Sequence, residues 1–280
     1  PSRGLKGMGP VNLALGVALL PVSFFRALVL VAKYRPDVVV GVGGYSSGPV
    51  VMAAWMLGIP TAVQEQNALP GMTNRFLGRF VKAAFVAFDV ARSFFPKGRS
   101  HLLGNPIRRT LLENFLHSKK PHARFTVLIV GGSLGAHGLN VRIIDALSYL
   151  SQFKEQLHFV HQTGKADYSS IAQAYDRHSI SAEVKEFIDD MSAAYATSDL
   201  VICRAGAITL SELAVCRKAS ILVPFPAATD DHQAVNAQAM VDAGAAIMFR
   251  EAALTGAAIS QAVIDLMGDQ PRRMAMEKAA

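Results

Sequence analysis

Val127-Leu-Ile-Val-Gly-Gly-Ser-Leu-Gly-Ala136 is an apolar run that stops at a glycine turn, and a helical pattern over Leu139–Leu150 follows it. A strand without alternation is buried on both faces, as in a parallel sheet. A strand that turns through glycine into a helix is half of a β-α-β unit. Val38-Val-Val-Gly-Val-Gly-Gly-Tyr-Ser-Ser-Gly48 repeats the arrangement nearer the start, with a helical pattern over Val50–Leu57 behind it. Two such units predict an α/β protein of two Rossmann-like domains facing a cleft. Ligands in such sheets bind at the carboxyl ends of the strands, among these loops.

Further strands are expected at Thr61–Gln64, Ala83–Ala87 and His101–Leu103 in the first half. Leu157–His161, Glu183–Ile188, Leu200–Cys203, Ile221–Val223 and Ala246–Phe249 are expected in the second, with a helix over Gln233–Ala243. The one polar break is His117-Ser-Lys-Lys-Pro-His-Ala-Arg124. It predicts domains at 1–116 and 125–280 with a linker at 117–124.

The length, 280 residues, suits two domains at roughly 100–200 residues each. The apolar share, 51%, excludes a disordered chain. The formal charge of +7 fits an anionic partner or mere solubility. It lacks the basic runs expected of a nucleic-acid binder. Cys203 and Cys216 alone exclude a disulfide framework and point to a reducing compartment. Pro1 in place of Met predicts a fragment or a processed product.

Met8–Phe25 is uncharged over 18 residues, and mean hydropathy over the chain is +0.28. Leu13, Val17, Leu20, Phe24, Leu28 and Val31 form one helical face, and Leu15, Leu19, Val22 and Val29 a second row. Pro21 is expected to break or kink this helix, or to start a second one. Arg3, Lys6, Arg26, Lys33 and Arg35 rim it. The pattern suits a helix lying on an anionic membrane surface. A doubly buried core helix is the alternative. The prolines and polar residues disfavour a true span.

Gly131-Gly-Ser-Leu-Gly-Ala136 can bring backbone N–H groups to a phosphate, with Ser133 as a further donor, or can be a plain tight turn. It is not a P-loop and lacks strict G-x-G-x-x-G spacing. Arg204-Ala-Gly-Ala-Ile-Thr-Leu-Ser-Glu212 follows another strand. Glu212 can accept both ribose hydroxyls or merely favour a helix start. Gln233 ends a loop and can offer its amide to sugar hydroxyls. Asp230, Asp231 and His232 are adjacent, which disfavours a shared metal ion. Arg108, after a strand, suits a diphosphate because its planar fork grips two oxygens, or it makes a surface salt bridge. His161 reads as structural. These loops together fit a sugar-linked nucleoside diphosphate.

Gly41-Val-Gly-Gly-Tyr-Ser-Ser-Gly-Pro49, Gln64-Glu-Gln-Asn67, Gly104-Asn-Pro-Ile-Arg108, the Gly131–Ala136 turn, Glu186-Phe-Ile-Asp-Asp-Met191, Arg204-Ala-Gly-Ala207 and Asp230-Asp-His-Gln-Ala-Val-Asn236 occur in one order along the chain. In that order the chain resembles the MurG-type transferases. These convert lipid I, undecaprenyl-diphospho-muramyl-pentapeptide, into lipid II with UDP-N-acetylglucosamine. The resemblance implies a two-domain GT-B fold, an inverting active site without metal or other cofactor, and a role in peptidoglycan synthesis. It implies a peripheral place on the cytoplasmic face of the bacterial inner membrane. The partners implied are UDP-N-acetylglucosamine, lipid I and an anionic membrane surface, with no nucleic acid.

By position, the resemblance gives Asn67 the donor-sugar contact and Arg108 and Ser133 the diphosphate contacts. It gives the Ile188 backbone the uracil, and Ala207, Ile208, Thr209, Leu210, Ser211 and Glu212 the nucleotide-binding helix start. Gln233 takes the N-acetylglucosamine hydroxyls. Leu134 stands where the family usually has Gln. The family's opening glycine-rich loop ending in His has no counterpart after Pro1, which leaves Glu65 as the base candidate by position and predicts donor binding with little turnover. A UDP-sugar epimerase of the same architecture and a non-catalytic, membrane-associated UDP-sugar binding protein are the alternatives.

Overall fold

A computed structural model of the chain describes residues 10–117, 123–132 and 135–280, with side chains of the first helix described from Pro21 onward. The chain divides into two compact units, Pro1–Asn105 and Pro106–Ala280.

The first unit runs α1 (Pro10–Tyr34), β1 (Val39–Gly41), α2 (Ser47–Met56), β2 (Thr61–Glu65), α3 (Met72–Leu77), β3 (Ala83–Val86) and β4 (Ser100–Leu102). Its four strands are parallel in the order β1-β2-β3-β4. Val51, Val63, Leu77, Val81, Val86 and Phe95 form its core. At Gly41 a Cβ would lie 2.8 Å from Val51 Cγ2, so glycine lets α2 close on the sheet.

α1 passes through Pro21 as one helix, where a break or kink was expected. Proline forfeits one backbone hydrogen bond, and burial on one face offsets that loss. Ala27 and Val31 are buried with Ala53 and Ala54 of α2, and Phe24 and Leu28 pack beside them. Of the other row, Val22 and Val29 face out, and Phe25 beside them is exposed too, Phe25 and Val29 each by 65%, while the side chains of Leu15 and Leu19 lie outside the described residues. Over the described part the helix is buried on one face and exposed on the other. No described helix is long and apolar enough to cross a membrane.

The second unit runs α4 (Arg109–His117), β5 (Phe125–Val130), α5 (His137–Leu150), β6 (Leu157–Gln162), α6 (Tyr168–Arg177), β7 (Ser181–Lys185), α7 (Met191–Thr197) and β8 (Leu200–Cys203). It continues with α8 (Ala207–Val215), β9 (Ser220–Leu222), α9 (His232–Asp242), β10 (Ala246–Met248), α10 (Gly256–Gly268) and α11 (Gln270–Ala279). Six parallel strands stand in the order β10-β9-β8-β5-β6-β7. Val127, Ile129, Leu200, Ile202 and Ile221 are fully buried between the helical layers. The order reverses between β5 and β8, which makes the carboxyl ends of those two strands the switch point where ligands bind.

The division falls after Asn105, upstream of the expected break at 117–124. The reason is the amphipathic α4, whose Leu111 and Phe115 are buried and which packs on α7. Lys218 lies over the Phe115 ring, 5.6 Å from its centroid. Residues 118–122 of the expected linker lie outside the described residues. Both cysteines are buried and unbridged.

Candidate active site

The first loop at the switch point is the glycine turn between β5 and α5. Gly132 and Gly135 have φ of +96° and +80°. A Cβ on Gly135 would lie 2.2 Å from the Thr163 carbonyl oxygen, and one on Gly131 would lie 2.5 Å from Ala136 Cβ. Side chains are thus excluded at Gly131 and Gly135, where backbone lies close to the start of α5 and its N–H groups are unpaired within the helix. Ser133 and Leu134 lie outside the described residues.

The second loop joins β8 to α8. Arg204, 8% exposed, follows the fully buried run Leu200–Cys203. Its guanidinium donates to the Val223 and Pro224 carbonyls at 3.1 and 3.3 Å and pairs with Glu251 at 2.5 Å. The Phe225 ring lies below it, 5.6 Å from its centroid. Its buried Nε finds no hydrogen-bond partner among the described residues. A donor so placed has a desolvation cost that an anion would relieve. The glycine turn, His137, Arg204, Gly206, Thr209, Phe225, Gln233 and Glu251 line one pocket of about 480 Å³.

Gly206 caps α8, which opens at Ala207. Ile208 is exposed, while Leu210 is buried, so Leu210 can offer a ligand only backbone. Ser211 donates its hydroxyl to the Ala207 carbonyl at 2.9 Å. Glu212, half-buried, accepts from the Tyr195 hydroxyl at 3.0 Å. Burial pushes the Glu212 carboxyl above its ordinary value, opposed by the Tyr195 bond and by the charge of Arg108. Arg108 is exposed just before α4, and its charge reaches Glu212.

Gln233, at the start of α9, accepts at Oε1 from the Phe225 N–H at 2.9 Å, which leaves its amide nitrogen as the group to meet a ligand. The turn before it holds Asp230 and Asp231 at φ +54°, and an Arg250–Asp231 ion pair of 2.6 Å braces it. Among the described residues, no cluster of three or more His, Cys, Asp or Glu could hold a metal ion. Ile188 is buried after β7, and its N–H donates to Gln162 Oε1 at 2.9 Å.

In the first unit, Asn67 sits past the carboxyl end of β2. Its backbone N–H and its side-chain amide donate to Glu65 Oε1 at 3.0 and 3.4 Å. Glu65 Oε2 accepts from Gly71 N–H at 3.1 Å and from Asn74 Nδ2 at 2.9 Å. Glu65 is 2% exposed. A carboxylate enclosed by four donors fixes a loop and has no path to a substrate hydroxyl. This corrects the reading of Glu65 as a base.

The sequence marks no role for Gln162, Tyr195 or Glu251, and Arg204 stands in it only as the start of the Arg204–Glu212 motif. A charged residue straight after four buried apolar ones was a usable signal for Arg204. Nothing local marks Glu251, which acts across the fold.

The model of the glycosyltransferase family 28 C-terminal domain matches residues 126–280, and that of the N-terminal domain matches residues 6–86. The chain belongs to glycosyltransferase family 28. Within this family it is 59% identical, over 99% of its own length and 73% of the relative's, to a Myxococcus xanthus protein. That relative is named as a UDP-N-acetylglucosamine–N-acetylmuramyl-(pentapeptide) pyrophosphoryl-undecaprenol N-acetylglucosamine transferase. An Anaeromyxobacter dehalogenans protein of the same name is 52% identical over the same shares. The crystal structure of Acinetobacter baumannii MurG superposes with a TM-score of 0.80 at 33% identity, covering 94% of this chain and 74% of that one. A Neisseria meningitidis UDP-GlcNAc 2-epimerase bound to UDP-GlcNAc shares the fold alone, with a TM-score of 0.67 at 13% identity, 98% of this chain and 78% of that one being covered. The family 28 assignment therefore rests on both domains of the chain.

Proposed function

We propose that this chain catalyses inverting transfer of N-acetylglucosamine from UDP-N-acetylglucosamine to the muramyl 4-hydroxyl of lipid I, forming lipid II. The observation that carries the reading is the switch-point pocket, where a glycine-rich turn, two helix starts and the buried Arg204 converge. The relatives' names supply the substrates. The diphosphate lies against the glycine turn and the start of α5. Glu212 accepts the ribose hydroxyls, the Ile188 backbone meets the uracil, and the Gln233 amide meets the sugar. Asn67 in the first unit serves the donor sugar.

In the reaction the muramyl hydroxyl attacks the anomeric carbon, its proton passes to a base, and UDP departs. Negative charge grows on the diphosphate. Arg108, Ser133 and the helix-start N–H groups stabilise it, the electrostatic role that contributes most in many enzymes. The exposed row of α1 with Arg26, Lys33 and Arg35 suits an anionic membrane surface, which supports a peripheral membrane location.

Calorimetry with UDP-, ADP- and GDP-linked sugars tests the donor site, with preference for UDP-N-acetylglucosamine expected. Equal affinity for all three overturns it. Radiolabel recovered in an epimeric UDP-sugar, and never in a lipid product, transfers the reading to an epimerase.

A further inference from the structure

Gln162 ends β6, between the loop that follows β5 and the loop that follows β7. It is 3% exposed. Its Nε2 donates to the Gly132 carbonyl at 2.8 Å, and its Oε1 accepts from the Ile188 N–H at 2.9 Å. The two partners fix the amide's orientation, since the flipped form would set donor against donor and oxygen against oxygen. One side chain therefore ties the glycine turn to the Ile188 peptide.

The tie also decides which face of that peptide meets a ligand. The Ile188 N–H is taken, and no described hydrogen bond engages the Ile188 carbonyl. A carbonyl accepts only. It pairs with the ring N3–H of uracil and repels the N3 lone pair of cytosine. We propose that Gln162 is a positioning residue that couples base selection to diphosphate binding, by holding Gly132 in the glycine turn and by leaving the Ile188 carbonyl to select uracil over cytosine. This rests on the reading of the Ile188 loop as the nucleobase site.

The substitutions Gln162→Met and Gln162→Glu separate the two bonds. Methionine has the length of glutamine and makes neither bond. A glutamate ion keeps the acceptor for Ile188 and sets a negative oxygen against the Gly132 carbonyl. Protonated, it restores both bonds, because its hydroxyl donates where Nε2 did. Burial raises the pKa of such a carboxyl towards neutrality.

UDP and CDP affinities of the 280-residue chain are measured by calorimetry, with thermal melts in parallel. The expected result is a UDP affinity about tenfold lower or more in Gln162→Met, with the UDP-over-CDP preference collapsing towards one. In Gln162→Glu the preference survives, affinity is low at pH 8, and the deficit relative to the parent shrinks as pH falls to 6. Unchanged preference in Gln162→Met overturns the proposal, whatever the melting temperature. Should Gln162→Met fail to fold, a deficit in Gln162→Glu that does not change with pH overturns it. A parent chain that binds UDP and CDP alike overturns the nucleobase reading, and the proposal falls with it.

Discussion

The Tyr195 hydroxyl donates to Glu212 Oε2 at 3.0 Å, from a phenol that is itself buried in the second unit. The bond favours the ionised carboxylate, against burial, which raises the Glu212 carboxyl above its ordinary value. Ribose hydroxyls donate, so they need that ionised form. UDP affinity should therefore fall with falling pH before an ordinary glutamate would protonate. Tyr195→Phe removes a bond that lowers the Glu212 value and should move this loss to higher pH. Glu212→Ala should weaken UDP binding by about 1–3 kcal/mol, the cost of hydrogen bonds to a charged group. Calorimetry at a series of pH values reads both, and a Glu212→Ala chain with parental affinity leaves Glu212 a helix-start carboxylate only.

Glu65→Gln separates a loop staple from a base. Glutamine presents an NH2 to a site built from the donors of Asn67, Gly71 and Asn74. We expect a loss of about 1–3 kcal/mol of stability in the first unit. A base would behave oppositely, with parental thermal stability and transfer reduced by about 10²–10⁴-fold. Chemical denaturation followed at Trp55, the sole tryptophan, makes the measurement.

Gly135→Ala probes the glycine turn. Its φ is +80°, and the added methyl would lie 2.2 Å from the Thr163 carbonyl oxygen. The clash is with backbone, so the turn must move. Backbone strain of about 1–3 kcal/mol is expected in stability, with UDP binding lost. Gly98→Ala, also at positive φ but with nothing within 4 Å, lies in the other unit and should leave UDP affinity unchanged. Equal UDP affinity in both variants would remove the turn from the binding site.

Each of the ten described strands overlaps an expected one, most plainly where a buried parallel strand is a short apolar run ended by glycine or polar residues. Val127–Val130 and Leu200–Cys203 show it plainly. The loops after β8 and β9 were legible too, and they bring Glu212 to α8 and Gln233 to the start of α9. Glu65 misled, because a carboxylate past a strand end reads alike whether it faces substrate or its own loop. Only its four donors tell the two apart. Gln162 and Tyr195 act through partners 26–30 and 17 residues away, and no local pattern encodes such pairings. Pro21 misled for another reason. Propensity priced one lost hydrogen bond, while packing on α2 decided the helix.

The exposed row of α1 gives a membrane test. Phe25→Ser and Val29→Ser remove apolar area that the fold does not bury. Sedimentation with anionic vesicles at low salt should show binding by the parent and loss in the double variant, with thermal stability unchanged. High salt should weaken the parent too, since each Lys or Arg near the surface contributes about 1 kcal/mol. Vesicle binding that ignores both substitutions would place the contact elsewhere.

The burial of His161 predicts that it contributes to the acid limit of the second unit. It is fully buried, with Nδ1 3.2 Å from the Tyr175 hydroxyl and Nε2 3.1 Å from Asn140 Oδ1. Asn140 Nδ2 donates to the Thr163 carbonyl and to Asp167 Oδ2, so Asn140 Oδ1 must accept from a protonated Nε2. Nδ1 then accepts from Tyr175, and the neutral ring has both nitrogens satisfied. Burial lowers its pKa from 6.5 to about 3, against the opposing pull of Asp167. Below pH 6.5 the unfolded chain takes up this proton and the folded chain does not, until about pH 3. The unfolded state thus binds more protons, and stability falls as pH falls through that window, by up to about 1.4 kcal/mol per pH unit. His161→Gln removes the titration while keeping a polar side chain between Asn140 and Tyr175. Denaturant melts from pH 7 to 4 should show the parent losing stability faster than the variant, with the gap widest in slope below pH 6. Parallel losses would shift the acid limit to the carboxylates, among them Asp167, whose lowered pKa predicts the same direction of change at lower pH.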